Sequence, residues 1–127
     1  MKPVTAVPTV RVVLADDHDL VRSGIKALLT MIKGVDVIAE ARNGQELVTL
    51  TESLNPDVVM TDISMPVMDG IAAIAQLHQS RPSVRLLVLS MYDTVDFVKR
   101  AVASGACGYL MKDAPPFELE QAIRSVM

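Results

Sequence analysis

The segment "VVMTDISMPVMDG", Val58 to Gly70, is an apolar run that ends on a carboxylate, Asp62, and then breaks into a Met-Pro turn. The run reads as a strand with no polar face, the pattern of a parallel sheet buried on both sides. After the turn the period changes. Ile71, Ile74 and Ala75, flanked by Leu77, fall on one side of a helix. A charged Asp at a strand end is often only a solvated residue. Whether Asp62 is more than that depends on what the other strands deliver.

Upstream, "TVRVVLA" (9–15) is a first strand rich in β-branched residues. Val21, Ile25, Leu28, Leu29 and Ile32 then share one helical face, with Gly34 as a stop. "VDVIAE" (35–40) is a second strand, and "NGQELVTLTESLN" (43–55) a helix with Leu47, Leu50 and Leu54 inward, ended by Asn55-Pro56. Downstream, "VRLLVLS" (84–90) is a fourth strand. Val95, Val98 and Val102 line a fourth helix closed by "SGACG", and "GYLMK" (108–112) is a fifth strand. Pro115-Pro116 opens a last helix with Leu119, Ile123 and Val126 inward. Strict alternation of five strands and five helices predicts an α/β fold, a doubly wound parallel sheet covered on both faces. Residues 1–8, with Pro3 and Pro8, read as a flexible arm before a single domain over 9–127.

The composition fits such a domain. The chain has 127 residues, of which 50% are hydrophobic but only 3% aromatic, so the core is expected to be aliphatic. A net charge of −3 gives no general attraction for nucleic acid or anionic membrane. One cysteine, Cys107, rules out an internal disulfide or a multi-cysteine metal site, and its expected place is as a small packed hydrophobe. No run approaches the roughly 18 apolar residues of a membrane span. "MKPVTAVPTV" is a poor signal peptide, so a cytoplasmic domain is expected.

In open α/β sheets ligands sit beyond the carboxyl ends of the strands. Strand one delivers Asp16 and Asp17 there, strand three Asp62, strand four Ser90 and strand five Lys112. Strand two delivers Glu40-Ala41-Arg42, with no obvious partner. Two unit charges about 4 Å apart repel by about 4 kcal/mol at an effective dielectric of 20. Three carboxylates with one lysine therefore call for a cation, and oxygen donors suit Mg²⁺. His18 and His78 do not make this a transition-metal site; His18 suits a helix start, and His78 a half-exposed place late in helix three. A carboxylate beside a hard cation, a Lys and a Ser hydroxyl meets the needs of acyl-phosphate chemistry, with Asp as phosphoryl acceptor. Singly, each residue has a plainer role. Asp16 or Asp17 could cap helix one, Ser90 could cap helix four or close a turn, and Lys112 could be solvated. Their coincidence at one sheet edge favours a site.

Along almost its whole length the chain resembles the receiver domain of two-component response regulators, through "VLADDH", "VVMTDISMPVMDG", "LVLS" and "GYLMKDA". "DISMPVMDG" together with "YLMKDAPP" resembles the subgroup whose receivers precede a LuxR-type helix-turn-helix. The resemblance implies a flavodoxin-like sheet of order 2-1-3-4-5. It implies Asp62 as phosphoacceptor, charged by a sensor histidine kinase or a small phosphodonor. It implies Mg²⁺ bound directly by Asp17 and through water by Asp16, with Asp62 and the backbone carbonyl of Ser64 also at the metal. Ser90 and Lys112 would contact the phosphoryl group, and Tyr109 would turn inward with Ser90. Pro66 and Gly70 would shape the loop into helix three. The implied output is a change across helix four, strand five and helix five, then homodimerisation or release of a DNA-binding domain. DNA would be bound only by an effector domain that this chain lacks, and no membrane is involved. The domain would be no enzyme beyond assisting its own phosphorylation and dephosphorylation. Where many receivers carry Lys-Pro, this chain has Lys112-Asp113, so a trans bond is expected there.

Other readings are weaker. A phosphatase of the haloacid-dehalogenase type needs a second Asp two residues past the nucleophile, where Ser64 stands. A nucleotide-binding module needs a Gly-rich loop after strand one, where "ADDHDLVRSG" would repel phosphate. A pseudo-receiver scaffold is disfavoured by the intact Asp, Ser and Lys set. A stand-alone receiver or phosphorelay intermediate, acting through protein contacts, is the closest alternative to a truncated transcription regulator.

Overall fold

The computed structural model describes residues 9–92 and 94–127; the expected arm, 1–8, lies outside the described residues. Ten elements alternate: β1 (Val10–Ala15), α1 (Asp19–Thr30), β2 (Val35–Ala41), α2 (Gly44–Leu54), β3 (Val58–Thr61), α3 (Gly70–Ser80), β4 (Arg85–Ser90), α4 (Val95–Ser104), β5 (Gly108–Met111) and α5 (Pro116–Val126). The strands form one parallel sheet in the order β2-β1-β3-β4-β5. Winding reverses at β1 and β3, so the crevice beyond their carboxyl ends is the expected site.

The two-residue period of the strands sorts side chains onto two faces. Val12, Leu14, Val58, Met60, Leu87 and Leu89 pack with Ile25 and Leu29 of α1 and with Leu119 and Ile123 of α5. Val13, Val59, Leu86 and Val88 pack with Leu47 and Val48 of α2, with Ile71, Ile74 and Leu77 of α3 and with Ala101 of α4. Both faces are covered, which is why the strands read as continuous apolar runs. The core is aliphatic, as composition requires; Phe97 and Tyr109 are only partly buried against it.

Several inward positions differ from the sequence reading. On α1, Val21 is exposed and Arg22 is buried in its place, because the guanidinium finds acceptors just past β1, at the Asp16 carbonyl, and on β2, at Glu40. On α3 it is Ala73, not Ala75, that is buried. On α4, Val95 and Val102 are 68% and 59% exposed, Val98 is half-buried, and Ala101 makes the inner contact. Cys107 is exposed, just before the edge strand β5. No helix among the described residues is long and apolar enough to cross a membrane.

Candidate functional site

Backbone bonds position each carboxylate. The Asp16 amide donates to the Ala41 carbonyl of β2 at 3.0 Å, and the Asp62 amide to the Ala15 carbonyl of β1 at 2.9 Å. Sheet pairing thus carries both residues one step past their strands and leaves their side chains at the edge. Asp16 Oδ1 accepts from the His18 amide at 2.9 Å, which closes the turn into α1 with His18 as its N-cap residue. Asp62 Oδ1 accepts from the Ile63 amide at 2.7 Å.

Lys112 joins the two acids. Its Nζ lies 2.7 Å from Asp16 Oδ2 and 3.0 Å from Asp62 Oδ2, with the lysine and both acids almost fully buried. The Lys112 amide donates to the Ser90 carbonyl at 2.9 Å, so β4 sets where the lysine leaves the sheet. The Lys112-Asp113 bond is trans, as expected. Burial raises the Asp62 pKa; the Lys112 hydrogen bond and charge oppose that rise, and the Asp16 charge adds to it. For Lys112, burial pulls down, but hydrogen bonds and attraction from Asp16 and Asp62 win, and its pKa is raised.

Asp17 completes the cluster. Ligand-competent atoms of Asp16, Asp17, His18 and Asp62 all lie within 4.8 Å of one another. Among the described residues, Asp17 Oδ1 is buried and accepts no hydrogen bond; His18 Nδ1 stands 3.1 Å from it. Three carboxylates against one ammonium leave two negative charges uncompensated when all are ionised. That surplus, the orphaned Asp17 oxygen and the all-oxygen acidic donors fit a hard divalent cation. An open groove lined by Asp17, His18, Ser64, Met65, Phe97 and Arg100 leads from the cluster to solvent.

The loop from Ile63 to Asp69 is shaped by backbone constraints. Its Ser64 is exposed. The Met68 amide donates to the Pro66 carbonyl at 2.7 Å across Val67, whose φ is 69°, which makes a tight γ-turn. The Gly70 amide then returns to the Ile63 carbonyl at 2.7 Å, and a Cβ at Gly70 would lie 1.9 Å from the Asp62 carbonyl oxygen. Asp69 caps α3, accepting from the Ala72 amide at 2.7 Å.

On the far side, Ser90 is buried at the end of β4, and its Oγ accepts from the Tyr92 amide at 3.1 Å. Tyr109 is half-buried, and its hydroxyl donates to the Tyr92 carbonyl. The candidates therefore form two groups: Asp16, Asp17, Asp62 and Lys112 converge in one cluster, while Ser90 and Tyr109 meet around Tyr92. Glu40, read as partnerless, accepts from Arg22 Nε and from Lys26 Nζ, each at 3.0 Å. Arg22 was not legible as a site neighbour; its one signal is a cation a turn and a half past Asp16.

Such a cradle, a buried carboxylate paired to lysine beside a cation-ready acid pair, defines a phosphoacceptor class of signalling domain. The chain belongs to the response regulator receiver domain family, which it matches over residues 12–124. It is 38% identical over 117 residues to the transcriptional regulatory protein DegU of Brevibacillus brevis, covering 92% of this chain and 50% of that protein. The signal receiver domain of a response regulator NarL from Mycobacterium tuberculosis superposes with a TM-score of 0.89 at 34% identity, covering 94% of this chain and 96% of that one. A LuxR-family two-component response regulator from Aurantimonas sp. SI85-9A1 gives 0.88 at 36% identity, covering 93% and 84%. The chain spans about half the length of the curated relatives it matches. It is thus a receiver with a phosphoacceptor role in two-component signalling. Domains of this kind are generally signalling modules rather than enzymes, and they act with histidine kinases or small phosphodonors.

Proposed function

We propose that Asp62 is the phosphoacceptor of this receiver. The observation that carries the reading is the buried Asp62 carboxylate sharing the Lys112 ammonium with Asp16 at the end of β3. A carboxylate oxygen of Asp62 attacks phosphorus in line, an acyl-phosphate bond forms, and the bond to the donor's leaving atom breaks, with the electron pair going to the leaving group. Asp17 and Asp62 would hold Mg²⁺ directly, Asp16 through water, and the Ser64 carbonyl would complete the set. When bound, the ion supplies positive charge to the phosphoryl oxygens. Lys112 then balances the added oxygens, and Ser90 gives up the Tyr92 amide to donate to one of them. Tyr109 follows Ser90 inward, releasing the Tyr92 carbonyl. The same residues assist loss of the phosphoryl group to water.

The donor is a sensor histidine kinase in the cytoplasm. The output passes through α4, β5 and α5, where Val95, Val102 and Phe117, with Tyr92 in the loop before α4, are about 60% exposed or more and supply apolar surface for homodimerisation. DNA is bound by an effector domain outside these residues, and transcription is the regulated process. Incubation with acetyl phosphate and Mg²⁺ should add one phosphoryl mass to the wild type and none to Asp62→Asn. Equal labelling of the two would overturn the assignment. Ser90→Ala should still label yet lose the amide shifts in α4.

A further inference from the structure

Asp17 is the one acid of the cluster whose carboxylate accepts no described hydrogen bond; only the exposed His18 ring stands near it, at 3.1 Å, so its direction is set chiefly by its backbone. That backbone is held by Arg22. Nη1 of Arg22 donates to the Asp16 carbonyl at 2.8 Å in a buried contact. Nη2 donates to Asp19 Oδ1 at 2.9 Å, and Nε to Glu40 Oε1 at 3.0 Å. The guanidinium is a planar fork, so three acceptors at its donors fix both its place and its tilt. The Asp16 carbonyl and the Asp17 amide belong to one rigid peptide plane. Tying that carbonyl to Arg22, while the Asp16 amide is tied to Ala41, therefore fixes where the Asp17 side chain starts. Lys26 braces the far oxygen of Glu40 at 3.0 Å.

We infer that Arg22 is a positioning residue for the acidic pair, a buried brace from α1 and β2 that aims Asp17 into the cation cradle. The inference rests on the reading that Asp16 and Asp17 serve Mg²⁺. A brace and a charge make opposite demands here. As a charge alone, Arg22 repels a nearby cation, so its removal should tighten Mg²⁺ binding. As a brace, its removal should weaken that binding despite the better field.

The test is titration of Mg²⁺ into the folded chain, well below each variant's melting midpoint. Arg22→Lys keeps the charge and loses the fork. Its Kd for Mg²⁺ should rise about tenfold, the usual scale for groups that orient metal ligands. Arg22→Met should also weaken binding, although it removes a positive charge. A Kd for Arg22→Lys within twofold of wild type, or tighter binding by Arg22→Met, overturns the inference. If the single variants do not fold, the double variant Arg22→Met with Glu40→Met leaves the local net charge unchanged, and apolar replacement of such a part-buried pair is commonly tolerated. Wild-type Mg²⁺ affinity in that double variant likewise overturns it, and a raised Kd supports it. A wild type that neither binds Mg²⁺ nor labels at Asp62 defeats the functional reading itself. A wild type that does both, beside unchanged variants, defeats only the role of Arg22.

Discussion

The two sides of the sheet edge are built differently. On the β1–β3 side nearly every strand residue is buried, and Asp16 and Asp62 are each held by sheet bonds, turn bonds and Lys112. On the β4–β5 side, β4 is as buried as β1, but β5 has no fully buried residue and α4 has one, Ala101. Ser90 holds its loop through a single bond to the Tyr92 amide. Sparse packing lowers the free energy of local opening. Charge is therefore gathered where the backbone is over-determined, and the groups that would respond to it stand where little packing has to be undone. A ligand shifts an equilibrium only by its preference for one state, so the loosely packed side is where two states can lie close in energy.

The largest test of this contrast is Leu77→Ala, fully buried on the inner face of α3, which should cost about 2–5 kcal/mol by urea unfolding. Gly70→Ala comes next. Its Cβ would meet backbone that cannot give way, so a loss of about 1–3 kcal/mol is expected, with displaced amide signals at Asp62 and Ile63. Asp62→Asn should act in the opposite sense and raise the melting temperature at neutral pH in the absence of Mg²⁺. Burial raises the Asp62 pKa above its unfolded value, so ionisation there opposes folding. That penalty is absent in acid and grows as pH rises from about 4 through the folded pKa, so the Asn advantage should open over that range. Mg²⁺ should then stabilise the wild type more than the variant. Smallest of all is Val102→Ala on the exposed face of α4, which should stay within about 0.5 kcal/mol. Equal losses in Val102→Ala and Leu77→Ala would erase the difference between the packed core and the thinly packed outer face of α4.

Every element was legible in the sequence because both periods are strong in this chain, and the strand ends gave Asp16, Asp17, Asp62, Ser90 and Lys112 their common edge. Errors came where apolar residues occupy more than one face of a helix. On α4 the valines at 95 and 102 form a clean stripe, but the stripe faces solvent and the small Ala101 fits the inside. Periodicity identifies a face without saying what covers it. On α1 the helical period put Val21 inside, whereas Arg22 lies there because the Asp16 carbonyl, Asp19 and Glu40 accept all its contacts. Those partners are 6, 3 and 18 residues away, a convergence that only the β1–β2 pairing creates. Glu40 had no visible partner for the same reason.

The hydrogen bond from Tyr109 to the Tyr92 carbonyl has an optical consequence. The sequence contains two tyrosines and no tryptophan, and these two residues are that pair. All tyrosine emission of the chain thus arises at the edge of Ser90, and a phenol bonded to a carbonyl is quenched differently from a free one. If Tyr109 leaves that carbonyl on activation, ultraviolet fluorescence will record the event in real time, with no dye attached and no background from elsewhere in the chain.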